Sequence, residues 1–215
     1  MLLMFVLSVA VAMPSATAQD SQYAKAKKKA QKKEYKAKLK EYKKGKWEIF
    51  GTSHTMEVAL LDHYEKLEEE GAREYMGVAS SFISMNVGQQ SAMNSACNKY
   101  AHDAQTMVRG RVMSDLFSDA DDVPAEFDKF YSAYESMVVK EIKGEMTPTY
   151  SIVRVKGKDE KGRKIYEMRS FYVVNENAAA KARLRAMETA LEESNMAQQY
   201  AKRISNFVRE EAPAE

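Results

Sequence analysis

The chain has 215 residues but contains only one cysteine, Cys97. A single thiol cannot form an internal disulfide, so an apolar core has to stabilise the fold. Cys97 lies on the alanine-rich side of a predicted helix, which indicates a small buried side chain rather than a nucleophile. A bacterial lipoprotein needs a cysteine at its cleavage point, and Cys97 lies well inside the chain. We therefore expect a protein that is soluble after processing, without a lipid anchor.

Motifs typical of metal, phosphate or nucleophile sites are also missing. The sequence contains no CxxC, HExxH, GxSxG, GxGxxG or GxxxxGK[ST] pattern. The spacing of His54 and His63 does not place both on one helical turn, as a metal site on a helix would require. The 14 methionines are distributed through apolar faces, which is typical of core packing. The sequence therefore predicts no catalytic residue, no cofactor and no metal.

One enzymatic alternative stays open at this stage. Catalytic partners are brought together in space rather than along the chain, so a site can be assembled from distant residues. The alternative is a hydrolase-type enzyme with a site around His63, His102 and nearby acidic residues.

The apolar N-terminal stretch, Leu2 to Met13, is too short for a transmembrane helix, which needs about 20 apolar residues. Pro14 ends it, and Ala16-Thr17-Ala18 matches an A-x-A cleavage pattern. Residues 1–18 are therefore predicted to be a signal peptide, which directs the protein to the periplasm or to an outer-membrane-associated location. No Lys or Arg precedes the apolar stretch, so either the α-amino group supplies the positive charge or the true start lies upstream. A short buried N-terminal helix is the alternative.

The charge of the chain is divided between two regions. Residues 19–46, called the basic arm, hold 12 lysines and three acidic residues, for a net charge of +9. Residues 47–215 hold 21 basic and 28 acidic residues, for a net charge of −7. A basic segment of this kind is drawn to anionic surfaces such as lipid head groups, lipopolysaccharide or cell-wall polymers. The acidic body is an alternative target, and a solvated spacer is a further one.

The arm is predicted to be helical because it is rich in Ala and Lys and contains no Gly or Pro before Gly45. Tyr35, Leu39 and Tyr42 stand at positions i, i+4 and i+7 and form a short apolar stripe on this helix. Nucleic acid is not expected as a partner, since export removes the usual ligand. The residues predicted to contact a surface or partner are Lys27, Lys28, Lys29, Lys32, Lys33, Tyr35, Lys36, Leu39 and Tyr42.

The body, residues 47–210, is predicted to be an α+β domain with a small, mostly antiparallel sheet packed on long helices. A disordered tail is expected at 211–215. Thr52 or Ser53 is the predicted N-cap of the first body helix. Predicted strands are 47–52, 73–82 and a hairpin of 150–156 with 164–174; predicted helices are 55–70, 87–116, 124–143 and 178–210.

The strand Tyr75-Met76-Gly77-Val78-Ala79 and the alanine-rich helix from Gln90 to Val112 resemble small bacterial envelope lipoproteins related to the N-terminal domain of the flagellar protein FlgT. The resemblance covers residues 73–175, and its matching positions are Gly77, Ala79, Ala92, Ala96, Ala101, Ala104, Tyr166 and Tyr172 to Val174. It implies an α+β domain of the cell envelope without known catalytic residues. The lipid-accepting cysteine of that family is missing here.

These patterns together favour a non-enzymatic, exported cell-envelope protein that acts as a binding or structural module. Its expected partner is an envelope protein or an anionic envelope surface.

Overall fold

A computed structural model of the protein describes residues 16–117, 124–194 and 198–211, and it separates into two units, Met1–Glu41 and Tyr42–Glu215. The described part of the first unit is a lysine-rich helix, α1 (Ala16–Lys44), whose last three residues belong to the second unit. The helix predicted for the basic arm is thus present. The predicted signal segment up to residue 15 and the tail from residue 212 lie outside the described residues.

The second unit contains a four-stranded antiparallel sheet with strand order β1-β3-β4-β2, covered by long helices. This arrangement confirms the predicted α+β class. The elements are β1 (Glu48–Phe50), α2 (Met56–Lys66), β2 (Ala72–Phe82), α3 (Met85–Leu116), α4 (Glu126–Ile142), β3 (Thr147–Lys158), β4 (Lys164–Asn175), α5 (Glu176–Ser194) and α6 (Gln198–Glu211).

The predicted hairpin of β3 and β4 is confirmed, with Ser151 opposite Ser170 and Val153 opposite Met168. Asp159 shapes its turn, because one carboxylate oxygen accepts hydrogen bonds from the backbone N–H groups of Lys161 and Arg163. Successive side chains of a strand point to opposite faces of the sheet. The side chain of Phe171 therefore lies on the face that carries α2, and its neighbours Ser170 and Tyr172 lie on the face that carries α3.

Small residues allow α3 to lie directly on the sheet. Ala92, Ala96 and Ala101 are fully buried along the helix. The helix backbone comes so close to β2 that a Cβ atom added at Gly77 would lie 1.8 Å from the carbonyl oxygen of Ala92. On its other side α3 packs against α4, whose Phe127 is also fully buried. The main core therefore lies between the sheet and the outer helices.

Several predicted boundaries were wrong because local hydrogen bonds decide where helices begin. Helix α2 is capped by Thr55, whose hydroxyl accepts a hydrogen bond from the N–H of Val58, and not by Thr52 or Ser53. Its last residue is Lys66 rather than residue 70. Helix α5 begins at Glu176, because the side-chain oxygen of Asn175 accepts the N–H groups of the next turn. The single helix predicted over 178–210 is described as α5 and α6, and residues 195–197 between them lie outside the described residues.

Candidate functional site

A polar cleft lies where the start of β2, the middle of α3 and the start of α5 meet. It has a volume of about 330 Å³. Each of these three elements contributes at least one charged side chain. The residues that line it are Arg73, Tyr75, Tyr100, Asp103, Ala104, Met107, Glu176 and Arg183.

The backbone around Gly71 fixes the position of Glu176 at the edge of the cleft. Gly71 adopts a φ of 73°, a left-handed conformation that glycine adopts without steric cost. Its carbonyl oxygen accepts the backbone N–H of Glu176 at 2.8 Å, which ties the start of α5 to the start of β2. A carboxylate in the first turn of a helix is also favoured by the helix dipole.

Arg183 is the least expected residue of the cleft, because it is a charged side chain with only 6% exposure. Its Nη1 atom donates hydrogen bonds to Glu176 Oε1 at 2.8 Å and to the Tyr100 hydroxyl at 2.5 Å. Arg73 Nε contacts the other oxygen of Glu176 at 3.1 Å. Burial by itself lowers the pKa of Arg183, but Tyr100 and Glu176 raise it overall. The guanidinium therefore stays charged, although the side chain of Arg183 is buried.

Two tyrosine rings form the wall between the charged groups. The rings of Tyr75 and Tyr100 meet edge to face, with 5.0 Å between their centroids. Burial raises the pKa of Tyr100 to about 12. Burial, together with the negative charge of Asp103, also raises the pKa of Tyr75. Both hydroxyl groups therefore keep their protons at neutral pH and are available as hydrogen-bond donors.

These tyrosines lead us to expect a loss of stability at alkaline pH. The pKa of Tyr131 is also raised to about 12 by burial, so the folded state holds protons that the unfolded state has already released above pH 10. The resulting stabilisation is complete below the unfolded pKa and is lost as pH rises through the folded pKa. For Tyr100 we expect about 2–3 kcal/mol to be lost between about pH 10 and pH 12.

Urea unfolding at intervals over this pH range checks the expectation, with Tyr100→Phe as the comparison. The variant should show a shallower decline of the free energy of unfolding with pH than the parent protein. Equal slopes for the two proteins would mean that Tyr100 titrates normally in the folded state.

A second polar cluster lies on the opposite face of the sheet, around His63 of α2. His63 has no solvent exposure. Its Nδ1 atom lies 2.9 Å from the Thr149 hydroxyl, and its Nε2 atom lies 2.5 Å from Glu74 Oε2. The Thr149 hydroxyl donates its only proton to the carbonyl oxygen of Phe171 at 2.9 Å. Thr149 must therefore accept a hydrogen bond from His63 Nδ1, and a further proton is shared between Nε2 and Glu74.

The two histidines of the enzymatic alternative do not share a site. His102 lies on α3, its side chain is 68% exposed, and its Nδ1 atom lies 3.7 Å from a carboxylate oxygen of Glu135. His63 lies on α2, on the other side of the sheet, where its ring is packed against the rings of Tyr150 and Phe171. Within the described ranges, no three His, Cys, Asp or Glu side chains are placed to hold a metal ion.

The basic arm presents most of its predicted contact residues to solvent. Tyr35 and Leu39 are half-buried. Tyr42 differs from the prediction, because it is 2% exposed and its hydroxyl lies 3.0 Å from that of Tyr150. It belongs to the core of the second unit and is not an exposed contact residue. The predicted lysines that are exposed are Lys27, Lys28, Lys29, Lys32, Lys33 and Lys36.

Sequence reasoning missed the cleft around Arg183, although one signal for it was present. Arg183 interrupts a set of alanines on α5, and Ala179, Ala182 and Ala186 are all fully buried. An arginine in such a position must find buried acceptors. Cys97 behaves as predicted, since it is 1% exposed and burial raises the pKa of its thiol.

Comparison with known proteins adds no assignment. No protein-family model matches the chain, and no curated protein matches it. The resemblance to envelope lipoproteins therefore stays a prediction. Among the helices that the structure describes, none combines the length and apolarity needed to cross a bilayer.

Proposed function

We propose that the protein is a non-enzymatic, exported binding module of the cell envelope, and that its basic arm attaches it to an anionic surface. One observation carries the proposal: the lysines of the arm form a continuous exposed face. Apart from half-buried Lys38, each lysine from residue 25 to residue 40 is exposed.

The arrangement of these lysines follows from helix geometry. Successive residues of an α-helix are rotated by about 100°, which places seven arm lysines within an arc of about 140°. Glu34 and Glu41 fall outside this arc. A flat anionic surface can therefore contact all seven ammonium groups at once. The seven are Lys25, Lys28, Lys29, Lys32, Lys33, Lys36 and Lys40.

The expected attachment is electrostatic rather than hydrophobic. The apolar residues Tyr35 and Leu39 are half-buried, and Tyr42 belongs to the core of the second unit, so the exposed side of the arm is formed by lysines. Each lysine close to an anionic membrane contributes about 1 kcal/mol at physiological salt. The acidic body is repelled by the same surface, so the arm is the part of the chain expected to make the contact.

Cosedimentation with vesicles of phosphatidylglycerol and phosphatidylethanolamine tests the proposal. Replacing Lys29, Lys32, Lys33 and Lys36 by Gln should weaken vesicle binding at least about tenfold, because four surface contacts are lost. The matched control replaces four exposed hairpin lysines by Gln, which changes the net charge equally: Lys156, Lys158, Lys161 and Lys164. Binding of the control should stay within about twofold, and high salt should abolish binding of the parent protein.

A deletion variant supplies an independent check, and the structure decides where it must end. Removing residues 20–41 takes away nine of the 12 lysines of the arm but keeps Tyr42 and Trp47. Trp47 is 6% exposed, and the guanidinium groups of Arg154 and Arg169 lie over its ring, at 4.5 and 4.8 Å from the ring centroid. A deletion extended to Lys46 would remove Tyr42 from the core. We expect the shorter deletion to remain folded and to lose vesicle binding; unchanged binding would refute the role of the arm.

A further inference from the structure

We propose that the cleft between β2, α3 and α5 binds a small organic carboxylate. This assignment extends the proposed function, because it gives the body of the binding module a ligand of defined chemistry. No arm residue lines the cleft, so binding there can be tested separately from attachment to a surface.

The first argument is the supply of unused hydrogen-bond donors. A guanidinium group carries five N–H donors. In the described part of the chain, protein acceptors contact only Nη1 of Arg183 and only Nε of Arg73. Arg183 lines the cleft, so its remaining N–H donors are open to a ligand there.

The tyrosine hydroxyl groups add to this supply. The Tyr100 hydroxyl already accepts a hydrogen bond from Arg183, so its own proton is left to be donated. No protein acceptor in the described residues contacts the Tyr75 hydroxyl. Because both hydroxyls stay protonated at neutral pH, the cleft presents donors from four side chains to one small volume. Such a lining is suited to a ligand that only accepts, as a carboxylate does.

The second argument concerns which anion fits. Carboxylates of Glu176 and Asp103 also line the cleft, and Asp103 is only partly compensated by Lys99 at 3.2 Å. Two nearby carboxylates disfavour a dianion such as phosphate more than a monoanion. The planar fork of an arginine also matches a carboxylate in shape.

The third argument comes from the size of the cleft and from its apolar wall. A volume of about 330 Å³ is at the lower end of the range of about 300–1,000 Å³ that is usual for ligand sites. Met107, which is 44% exposed, and Ala104 supply apolar surface to the cleft. The ligand class is therefore a small carboxylate with an apolar part, for which benzoate is a suitable probe.

Titration of the full chain with benzoate, acetate and inorganic phosphate tests this inference, with the ring resonances of Tyr75 and Tyr100 followed by NMR. We expect saturable shifts with benzoate, weaker binding of acetate and no saturable shift with phosphate. Absence of saturation with benzoate would overturn the inference. Equal binding of phosphate would overturn the assignment to a carboxylate.

Variants then show whether the shifts come from the cleft. Arg73→Gln, at a largely exposed position, should weaken benzoate binding at least about tenfold because a charged donor is lost. Arg183→Lys should weaken benzoate binding to a similar extent because lysine keeps the charge but lacks the planar fork of donors. Arg185→Gln is the matched control on α5, since Arg185 contacts Glu141 at 2.6 Å and does not line the cleft. If Arg183→Lys does not fold, Arg73→Gln decides the outcome. Equal benzoate affinity in Arg73→Gln and Arg185→Gln would refute the site.

The cleft and the arm give separate readouts. If the unmodified chain binds vesicles but not benzoate, only the carboxylate site is refuted. If the unmodified chain binds benzoate but not vesicles, only the role of the arm is refuted.

Discussion

Replacing His63 by alanine is expected to lower the free energy of unfolding by about 3–5 kcal/mol. The substitution removes the group that faces both Glu74 and Thr149, and it leaves their polar atoms without that partner in a part-buried site. It also opens a cavity beside the rings of Tyr150 and Phe171, which adds to the loss. Urea unfolding followed by circular dichroism measures the change.

His102→Ala is the matched control, because it removes the same side chain from an exposed position. His102 is 68% exposed, and its nearest acidic group, Glu135, is also at the surface. Substitutions at such positions usually change stability by less than about 0.5 kcal/mol. Equal losses in the two variants would show that the buried cluster around His63 does not stabilise the fold.

Replacing Gly77 by alanine is expected to lower the free energy of unfolding by about 3–4 kcal/mol. The added Cβ would lie 1.8 Å from the carbonyl oxygen of Ala92 and 2.7 Å from its carbonyl carbon. Both atoms belong to the backbone of α3, so no side-chain rotation relieves the collision. Helix α3 would have to move away from β2, and the packing of the small residues between them would be lost.

Gly110→Ala is the matched control, and it is expected to have the opposite sign. Gly110 lies within α3, and a Cβ placed there meets nothing within 4 Å apart from its chain neighbours and the nearby backbone of its own helix. Alanine favours the helix over glycine by about 0.5–1 kcal/mol. Thermal unfolding should therefore show a lower midpoint for Gly77→Ala and a higher one for Gly110→Ala. A stability of Gly77→Ala close to that of the parent protein would mean that α3 does not lie this close to the sheet.

Features that depend on local sequence patterns were predictable. The hairpin of 150–156 with 164–174 was predicted, and β3 and β4 pair as expected, with Ser151 opposite Ser170. The alanines of α3 indicated close packing, and Ala92 and Ala96 are fully buried. Such patterns are reliable because the periods of strands and helices determine which residues share a face.

Helix ends were less predictable because neighbouring residues compete for the same role. Thr52, Ser53 and Thr55 are all good N-cap residues by type, and only Thr55 has its hydroxyl within reach of a free N–H of α2. Which residue caps the helix depends on where the backbone places its hydroxyl, and the capping preference of a residue type does not determine that position. Gly71 directly follows the helix predicted over 55–70, but in the structure it precedes β2, and its carbonyl oxygen accepts the backbone N–H of Glu176.

The candidate sites could not be predicted because they join residues that are far apart in sequence. His63 meets Thr149, which is 86 positions away, and Arg183 meets Tyr100, which is 83 positions away. The helical period places His63 on the same face of α2 as Ala59 and Leu60, which are also buried, but it does not show which polar groups His63 meets. Tyr42 is a further residue whose burial could not be predicted from local sequence. Its spacing matched the apolar stripe of the arm, but its hydroxyl lies 3.0 Å from the hydroxyl of Tyr150 in the second unit.

The sequence by itself determined the α+β class, the helical arm and the separation of basic and acidic charge, because periodicity, propensity and charge are properties of short segments. The tertiary structure alone decided which polar residues are buried, where Arg183 and His63 find partners, and that Tyr42 is part of the body. Burial and hydrogen-bond geometry depend on how β2, α3 and α5 pack together. That packing involves contacts between residues about 80 or more positions apart, such as Tyr100 and Arg183, which no local pattern encodes.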